Sequence, residues 1–324
     1  MTQRLFVCEY LSGGGLDAAA GRLAPADLDL LRQGLAMRDA LLADLARLPG
    51  FAIACAAGPG VPAPRRAEAL PPRPGEAFED FVAREAAAHD LAWVVAPETG
   101  GLLAALARRV APSRWVGGSA EAIALCSGKR ATLERLAAHG VATPLTAADD
   151  ARRWVVKPDD GAGTVATRVH ARREAAEADR AARAARGESA TLEPWVEGEA
   201  LSLSLACGGP GAVELLSINR QHIAVAPDGR VDYGGVAIDA RQDAVTRRPA
   251  LAAIAQAVAA AVPGLSGFVG IDLVWHERRG PVVIEVNPRL TCAYAGLSAA
   301  LGRNLAGELL ARHAAREAGH ATMA

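Results

Sequence analysis

GIDLVWHERRGPVVIEVNPR, residues 270–289, reads as two apolar strands on either side of the polar turn Glu277-Arg278-Arg279-Gly280. If the turn is symmetric, His276 faces Pro281, and stepping outward sets Asp272 opposite Glu285. Asn287, two residues beyond Glu285, lies on the same face of its strand. Cross-strand partners bring their Cβ atoms to about 5 Å, so the two carboxylates repel unless one is protonated or a cation sits between them. Asp272, Glu285 and Asn287 together supply oxygen ligands, the type Mg²⁺ prefers. The alternative is an edge hairpin with a merely solvated polar face. The apolar residues of each strand fix which face is polar, and this favours a metal site.

A second signal is the use of lysine. Of 35 Lys and Arg residues only Lys129 and Lys157 are lysine. A lysine kept in so arginine-rich a chain points to a place where a compact ammonium serves and a planar fork does not. Lys157 ends the apolar run WVVK and precedes Pro158 and DDGAGT, residues 159–164. Gly161, Gly163 and Thr164 are of the kind that exposes backbone N–H groups to phosphate oxygens, in a loop flexible enough to close as a lid. No GxxxxGK[ST] and no GxGxxG after the first strand occur, so neither a Walker loop nor a dinucleotide fingerprint is present. Lys129 opens the helix KRATLERLAAHG, where the positive end of the helix dipole gives no reason to keep a cation. The connection Glu193-Pro194-Trp195-Val196-Glu197-Gly198-Glu199 joins two strands; on its own it reads as a surface loop, the alternative being a segment that presents backbone groups to a base edge and a carboxylate to ribose hydroxyls.

Around these motifs the chain divides into regions. Residues 1–117 alternate strand and helix signals, with strands at 5–10, 51–56 and 91–96, a glycine cluster at Gly13-Gly14-Gly15, and helices at 25–48, 78–89 and 101–110. The βαβα order predicts a small parallel sheet. Residues 118–198 carry helices at 119–126, 129–139 and 173–186. Residues 199–324 are dominated by strands (201–206, 213–219, 268–276, 282–286), with helices at 246–262 and 299–315. The 324 residues carry a formal net charge of −1 and mixed charges, which offers no basic field for nucleic acid. Five scattered cysteines contain no CxxC pair, and predict buried thiols in a reducing compartment rather than a disulfide framework. The N-terminus has no signal-peptide layout and no apolar run of membrane-spanning length appears, so a cytoplasmic location is expected.

In this order SGKRATLERLAAHGVATP, WVVKPDDGAGT, LEPWVEGEALSLSL, GIDLVW and VVIEVNPRL resemble the ATP-grasp superfamily of carboxylate–amine ligases, from about Ser119 to Leu297. The resemblance implies an α/β fold of two ATP-grasp lobes with mainly antiparallel sheets, 118–198 and 199–324, behind a Rossmann-like pre-ATP-grasp domain, 1–117. It implies Lys129 and Lys157 at the ATP phosphates, with Gly161, Gly163 and Thr164 closing over them. Glu193, Trp195 and Val196 would contact adenine and Glu199 the ribose. Asp272, Glu285 and Asn287 would bind Mg²⁺, Mn²⁺ being left open, and Arg289 would stabilise an acyl phosphate. CEYLSGGG, Ala96-Pro97-Glu98, SINRQH and NPRLTCAYAGL look like the tyramine–glutamate ligase group of methanofuran biosynthesis, in which the γ-carboxyl of glutamate is joined to tyramine or tyrosine. This implies substrate contacts at Glu9, Ser12, Gly13, Gly14, Glu98, Arg289 and Thr291, with Arg220 as a further catalytic charge. Cys292 and Ala293 stand where small hydroxyl residues are more usual, which leaves the acceptor pocket open. The partners expected are small molecules, an amino-acid carboxylate and an amine, without nucleic acid or membrane; a homodimer is left open. A ligase for another amino acid or dipeptide, and a non-catalytic ATP-binding module, are the alternatives.

Overall fold

The computed structural model describes residues 2–15, 25–161, 163–208, 212–238 and 244–323. The chain begins with β1 (Gln3–Glu9), α1 (Pro25–Leu45), β2 (Phe51–Ala56) and β3 (Glu68–Leu70). α2 (Phe78–Ala88), β4 (Leu91–Val95) and α3 (Leu102–Arg109) follow. The four strands form a parallel sheet in the order β3-β2-β1-β4. Leu5, Phe6, Val7 and Cys8 are fully buried, as expected of a strand covered on both faces. β3 lies within the proline- and glycine-rich stretch 58–74.

α4 (Ala120–Ser127) is capped by the Ser119 hydroxyl, which accepts from Ala122 N at 3.2 Å, and α5 (Lys129–Ala138) follows directly. β5 (Trp154–Pro158), β6 (Arg168–His170), α6 (Arg173–Ala185) and β7 (Ala190–Pro194) build a three-stranded antiparallel sheet in the order β6-β5-β7. A five-stranded antiparallel sheet comes next. β8 (Glu199–Gly208), β9 (Val213–Val225), β10 (Val231–Ala237), β11 (Ser266–His276) and β12 (Gly280–Asn287) take the order β10-β9-β8-β11-β12. β9 runs six residues past the expected end at 219, because its outer half pairs with β10 and reaches the smaller sheet. Val169 N donates to Gly229 O at 2.7 Å there, and Val155, Val169 and Val231 share a small apolar core.

One face of the large sheet is apolar. Leu201, Leu203, Leu205, Ile271, Leu273, Val283 and Val286 pack on α7 (Ala244–Ala261) and on Ala122, Cys126 and Leu136 of α4 and α5. The helix expected over 299–315 is two helices, α8 (Leu297–Leu301) and α9 (Leu305–Met323). Gly302 breaks it at a φ of +66°, and Asn304 Oδ1 accepts from Gly307 N at 3.0 Å as the cap of α9. α9 then returns to the first sheet, where Leu305, Leu309 and Leu310 join Leu5, Val7, Leu41 and Phe268 in one core. Cys8, Cys55, Cys126 and Cys207 are buried free thiols, and Cys292 is partly exposed. Among the described residues no helix is long and apolar enough to cross a membrane.

Asp44 on α1 ties that helix to the segment leading out of the β11–β12 hairpin. Its carboxylate accepts from Tyr294 Oη at 2.7 Å, from Arg47 Nη2 at 2.7 Å and from Ser298 Oγ, and its carbonyl accepts from Asn304 Nδ2 at 2.9 Å. Asp44→Ala leaves the buried Tyr294 and Ser298 hydroxyls without that acceptor. Urea unfolding should show a loss of about 2–4 kcal/mol, with Asp44→Asn losing less.

Candidate active site

The hairpin β11–β12 brings the two carboxylates together by a different route from the symmetric turn. His276 pairs with Gly280 and Trp275 with Pro281, so the turn is one residue tighter than the sequence suggests. A bulge at Ile284 then restores the register, and Asp272 stands opposite Glu285 and Gly270 opposite Asn287. Asn287 Nδ2 donates to Asp272 Oδ2 at 3.1 Å and Gln221 Nε2 to Asp272 Oδ1 at 3.0 Å. Burial, and then the charge of Glu285, push the Asp272 carboxyl up to about 7. Among the described residues no cluster of three or more His, Cys, Asp and Glu side chains forms. The third oxygen of a metal site here would therefore be the Asn287 carbonyl. Two registered carboxylates, one of them raised by the other, fit a divalent cation.

The expected lysines are both buried, Lys129 at 5% and Lys157 at 6% exposure. Lys129 projects from the start of α5 into the site rather than into solvent. Its Nζ lies 3.0 Å from Glu285 Oε1 and donates to the carbonyl of Gly161. Asp159 holds this helix start, its carbonyl accepting from Lys129 N at 2.9 Å and its Oδ1 from Arg130 N at 2.9 Å. Lys157 Nζ sits 2.9 Å from Glu193 Oε2, and Thr191 Oγ1 donates to Glu193 Oε1 at 3.3 Å. The β5–β7 register, Val155 with Glu193 and Lys157 with Thr191, explains the meeting, since residues two apart share a strand face. Gly163 has a φ of +68° and Thr164 is half-buried; Ala162 lies outside the described residues.

In the connection between β7 and β8 Val196 is buried, while Arg153 stacks over the Trp195 ring at 5.5 Å. Trp195 Nε1 is buried without a partner, an orphan donor at the place expected to receive a base. Glu199 is clamped by Arg220 Nε at 2.6 Å and Arg247 Nη1 at 2.5 Å. Arg220 thus stands beside the acid expected at ribose, and Arg247, which also covers the Trp275 ring at 4.8 Å, was not legible as a site residue.

The segment after the hairpin meets the first sheet. Arg289 donates from Nε to Glu98 Oε1 at 2.9 Å and from Nη2 to Glu98 Oε2 at 2.8 Å. Thr291 lies over Gly270, where an added Cβ would come within 2.6 Å of its methyl. Cys292 Sγ donates to Gln33 Oε1 at 3.2 Å. Glu9, at the end of β1, accepts from Leu11 N at 3.1 Å and Ser12 N at 2.8 Å, and burial pushes its carboxyl up. Gly13 packs against Ala56 and Cys8, and Gly14 turns the chain at a φ of +107°. These residues lie at the carboxyl end of a parallel sheet, where open α/β sheets bind ligands.

The sequence singles out Asp272, Glu285, Asn287 and the segment 217–222, but not the residues of β8 that lie between them, Ser202 and Ser204. Register places Asn219, Ser202, Asp272 and Glu285 in one row across four strands, and Ser217, Ser204, Gly270 and Asn287 in the next. Asn219 Nδ2 donates to Ser204 Oγ at 3.1 Å, and Ser217 Oγ is buried without a partner. The signal was available, because LSLSL and SINRQ place a polar residue at every second position.

The raised Asp272 carboxyl has a measurable consequence. Folding takes up a proton between the ordinary 3.8 and about 7, so without metal the free energy of unfolding falls as pH rises through that window. Denaturant titrations across the window should show this slope in the wild type, and a flatter one in Asp272→Asn.

Two family models match the chain. The ATP-grasp domain matches residues 126–293, and the pre ATP-grasp 3 domain matches residues 51–123. No curated protein is similar in sequence at a significant level. Among solved structures, a protein of the ATP-grasp superfamily from Archaeoglobus fulgidus is 22% identical, with 96% of this chain and 88% of that chain covered and a TM-score of 0.66. D-alanine–D-alanine ligase from Bacillus anthracis is 15% identical, with 98% and 100% covered and a TM-score of 0.65. L-amino acid ligase from Bacillus licheniformis is 18% identical, with 96% and 73% covered and a TM-score of 0.64. At these identities the likeness is one of fold. The ATP-grasp model spans more than half of the 324 residues, and the chain belongs to the ATP-grasp family.

Proposed function

We propose that the protein is an ATP-dependent carboxylate–amine ligase, which joins an acid to an amine through an acyl phosphate. One observation carries this reading. Glu285, registered opposite Asp272, shares Lys129 with the carbonyl of Gly161, so the candidate metal ligands, a buried ammonium and a glycine-rich loop meet in one place. Ligases of amino acids among the structural neighbours support it.

ATP would bind between the lobe of residues 118–198 and that of 199–324, with its base near Trp195 and Val196, its ribose near Glu199 and its phosphates at Lys129 and Lys157. Asp272, Glu285 and Asn287 would hold Mg²⁺, which would neutralise phosphate charge there. Phosphoryl transfer asks little covalent chemistry of a protein, so the side chains act by positioning and by charge. Lys157 and Arg289 would face the developing negative charge as the acid attacks the γ-phosphate. The loop from Asp159 to Thr164 would keep water from the acyl phosphate until an amine displaces the phosphate.

The segments CEYLSGGG and NPRLTCAYAGL support a finer reading, in which the acid is the γ-carboxyl of glutamate and the amine is tyramine or tyrosine, in a cytoplasmic methanofuran-type pathway. Glu9, Ser12, Gly13, Gly14 and Thr291 are the proposed substrate contacts, with Arg220 assisting.

Glu285→Gln should lower Mg²⁺-dependent ADP release by about 100-fold without loss of fold, and near-normal turnover would remove the metal assignment. Lys157→Arg should lose at least about tenfold in kcat, because the buried slot against Glu193 holds a point charge. A coupled ADP-release screen over amino acids and aromatic amines tests the substrates. Turnover only with a different acid and amine would refute the finer reading, and ATP binding without any substrate-dependent ADP release would favour a binding module.

A further inference from the structure

The turn that follows β4 touches two other parts of the site at once. β4 ends at Val95, and Pro97 and Glu98 lead into Gly100 and Gly101, whose φ values are +64° and +69°. Two successive left-handed residues favour glycine at both positions. The geometry turns the Glu98 side chain inward, to 3% exposure, and the Gly100 N–H outward.

Glu98 receives Arg289 with both oxygens, at 2.9 and 2.8 Å. Arg289 Nη1 donates to Leu290 O at 3.2 Å, so two of the five guanidinium N–H groups, one on Nη1 and one on Nη2, remain for a ligand. A bidentate carboxylate fixes both the plane and the direction of a guanidinium. Gly100 N donates to Asp160 Oδ2 at 2.9 Å, and Asp160 belongs to the glycine-rich loop that begins after Lys157. The carboxylate docks at the amino end of α3, where the helix dipole favours it.

We infer that Glu98 is a positioning residue for Arg289, and that its turn anchors the glycine-rich loop through Asp160. Glu98 acts through the arginine rather than on the substrate, and the first sheet sets the aim of a charge carried by the last hairpin. A displaced guanidinium no longer meets the charge that develops in the transition state, and this costs rate without weakening ATP. The inference rests on the ligase reading for its kinetic effects only.

The test compares wild type, Glu98→Gln, Asp160→Asn and the double variant. Glu98→Gln should lower kcat by about tenfold or more while the KM for ATP stays within about twofold, the split expected of a group that acts only in the transition state. Glu98→Asp, which keeps the charge, should recover part of the rate, and it serves as the second variant if Glu98→Gln does not fold. Asp160→Asn should raise the share of ADP released without amide. Independently of turnover, modification of Arg289 by phenylglyoxal, located by peptide mapping, should be several-fold faster in Glu98→Gln than in wild type. Unchanged kcat together with an unchanged modification rate would overturn the inference, as would a fall in rate matched by an equal loss of folded protein. If the wild type turns over no acid and amine, the ligase reading fails while the modification rates still decide the role of Glu98.

Discussion

Asp272 and Glu285 face each other across a pair of strands, and the polar half of the molecule is arranged around their repulsion. Backbone register holds them together, so neither can move away without breaking the hairpin. The repulsion is met from three sides. Lys129 reaches Glu285 from α5, Asn287 donates to Asp272 from the same hairpin, and Gln221 donates from β9. Each of these groups is placed by a different element, and α5, β9 and β12 are thereby tied to one pair of charges. A divalent cation between the carboxylates would remove the same repulsion more fully.

The same logic runs through the other buried cations. Lys157 is paired with Glu193 and Arg289 with Glu98, all four at low exposure. A buried ion pair adds little net stability, but removing one partner is costly because it strands a charge. Such pairs keep the cations aimed before any ligand arrives, which is the preorganisation that electrostatic catalysis needs. They also give a physical reason for lysine at 129 and 157. Each ammonium sits against one carboxylate oxygen in a buried slot, whereas Arg289 meets both oxygens of Glu98 as a fork.

Much of this architecture was legible in the chain. The alternation of apolar and polar residues in 268–286 marked the faces of the hairpin, and Lys157 before a glycine run marked the end of β5. The opposition of Asp272 and Glu285 was also legible, although through a symmetric turn that does not exist. The actual turn is tighter by one residue and the bulge at Ile284 makes up the difference, because twist and turn geometry are set together along the hairpin. The break between α8 and α9 was missed because helical periodicity continues across Gly302, and only the left-handed glycine and the Asn304 cap interrupt it.

The sequence by itself determined the order of elements, the polar faces of the strands and the carboxylate, amide and ammonium side chains of the candidate site, since these follow from local periodicity and side-chain chemistry. Only the tertiary structure decided the partners. The pairing of Lys129 with Glu285, of Arg289 with Glu98 and of Asp160 with Gly100 joins residues 156, 191 and 60 positions apart. Nothing in the local sequence encodes such separations. They arise because the fold brings the parallel sheet, the glycine-rich loop and the last hairpin against one another, and charges buried there must find whichever counter-charge the packing brings within reach.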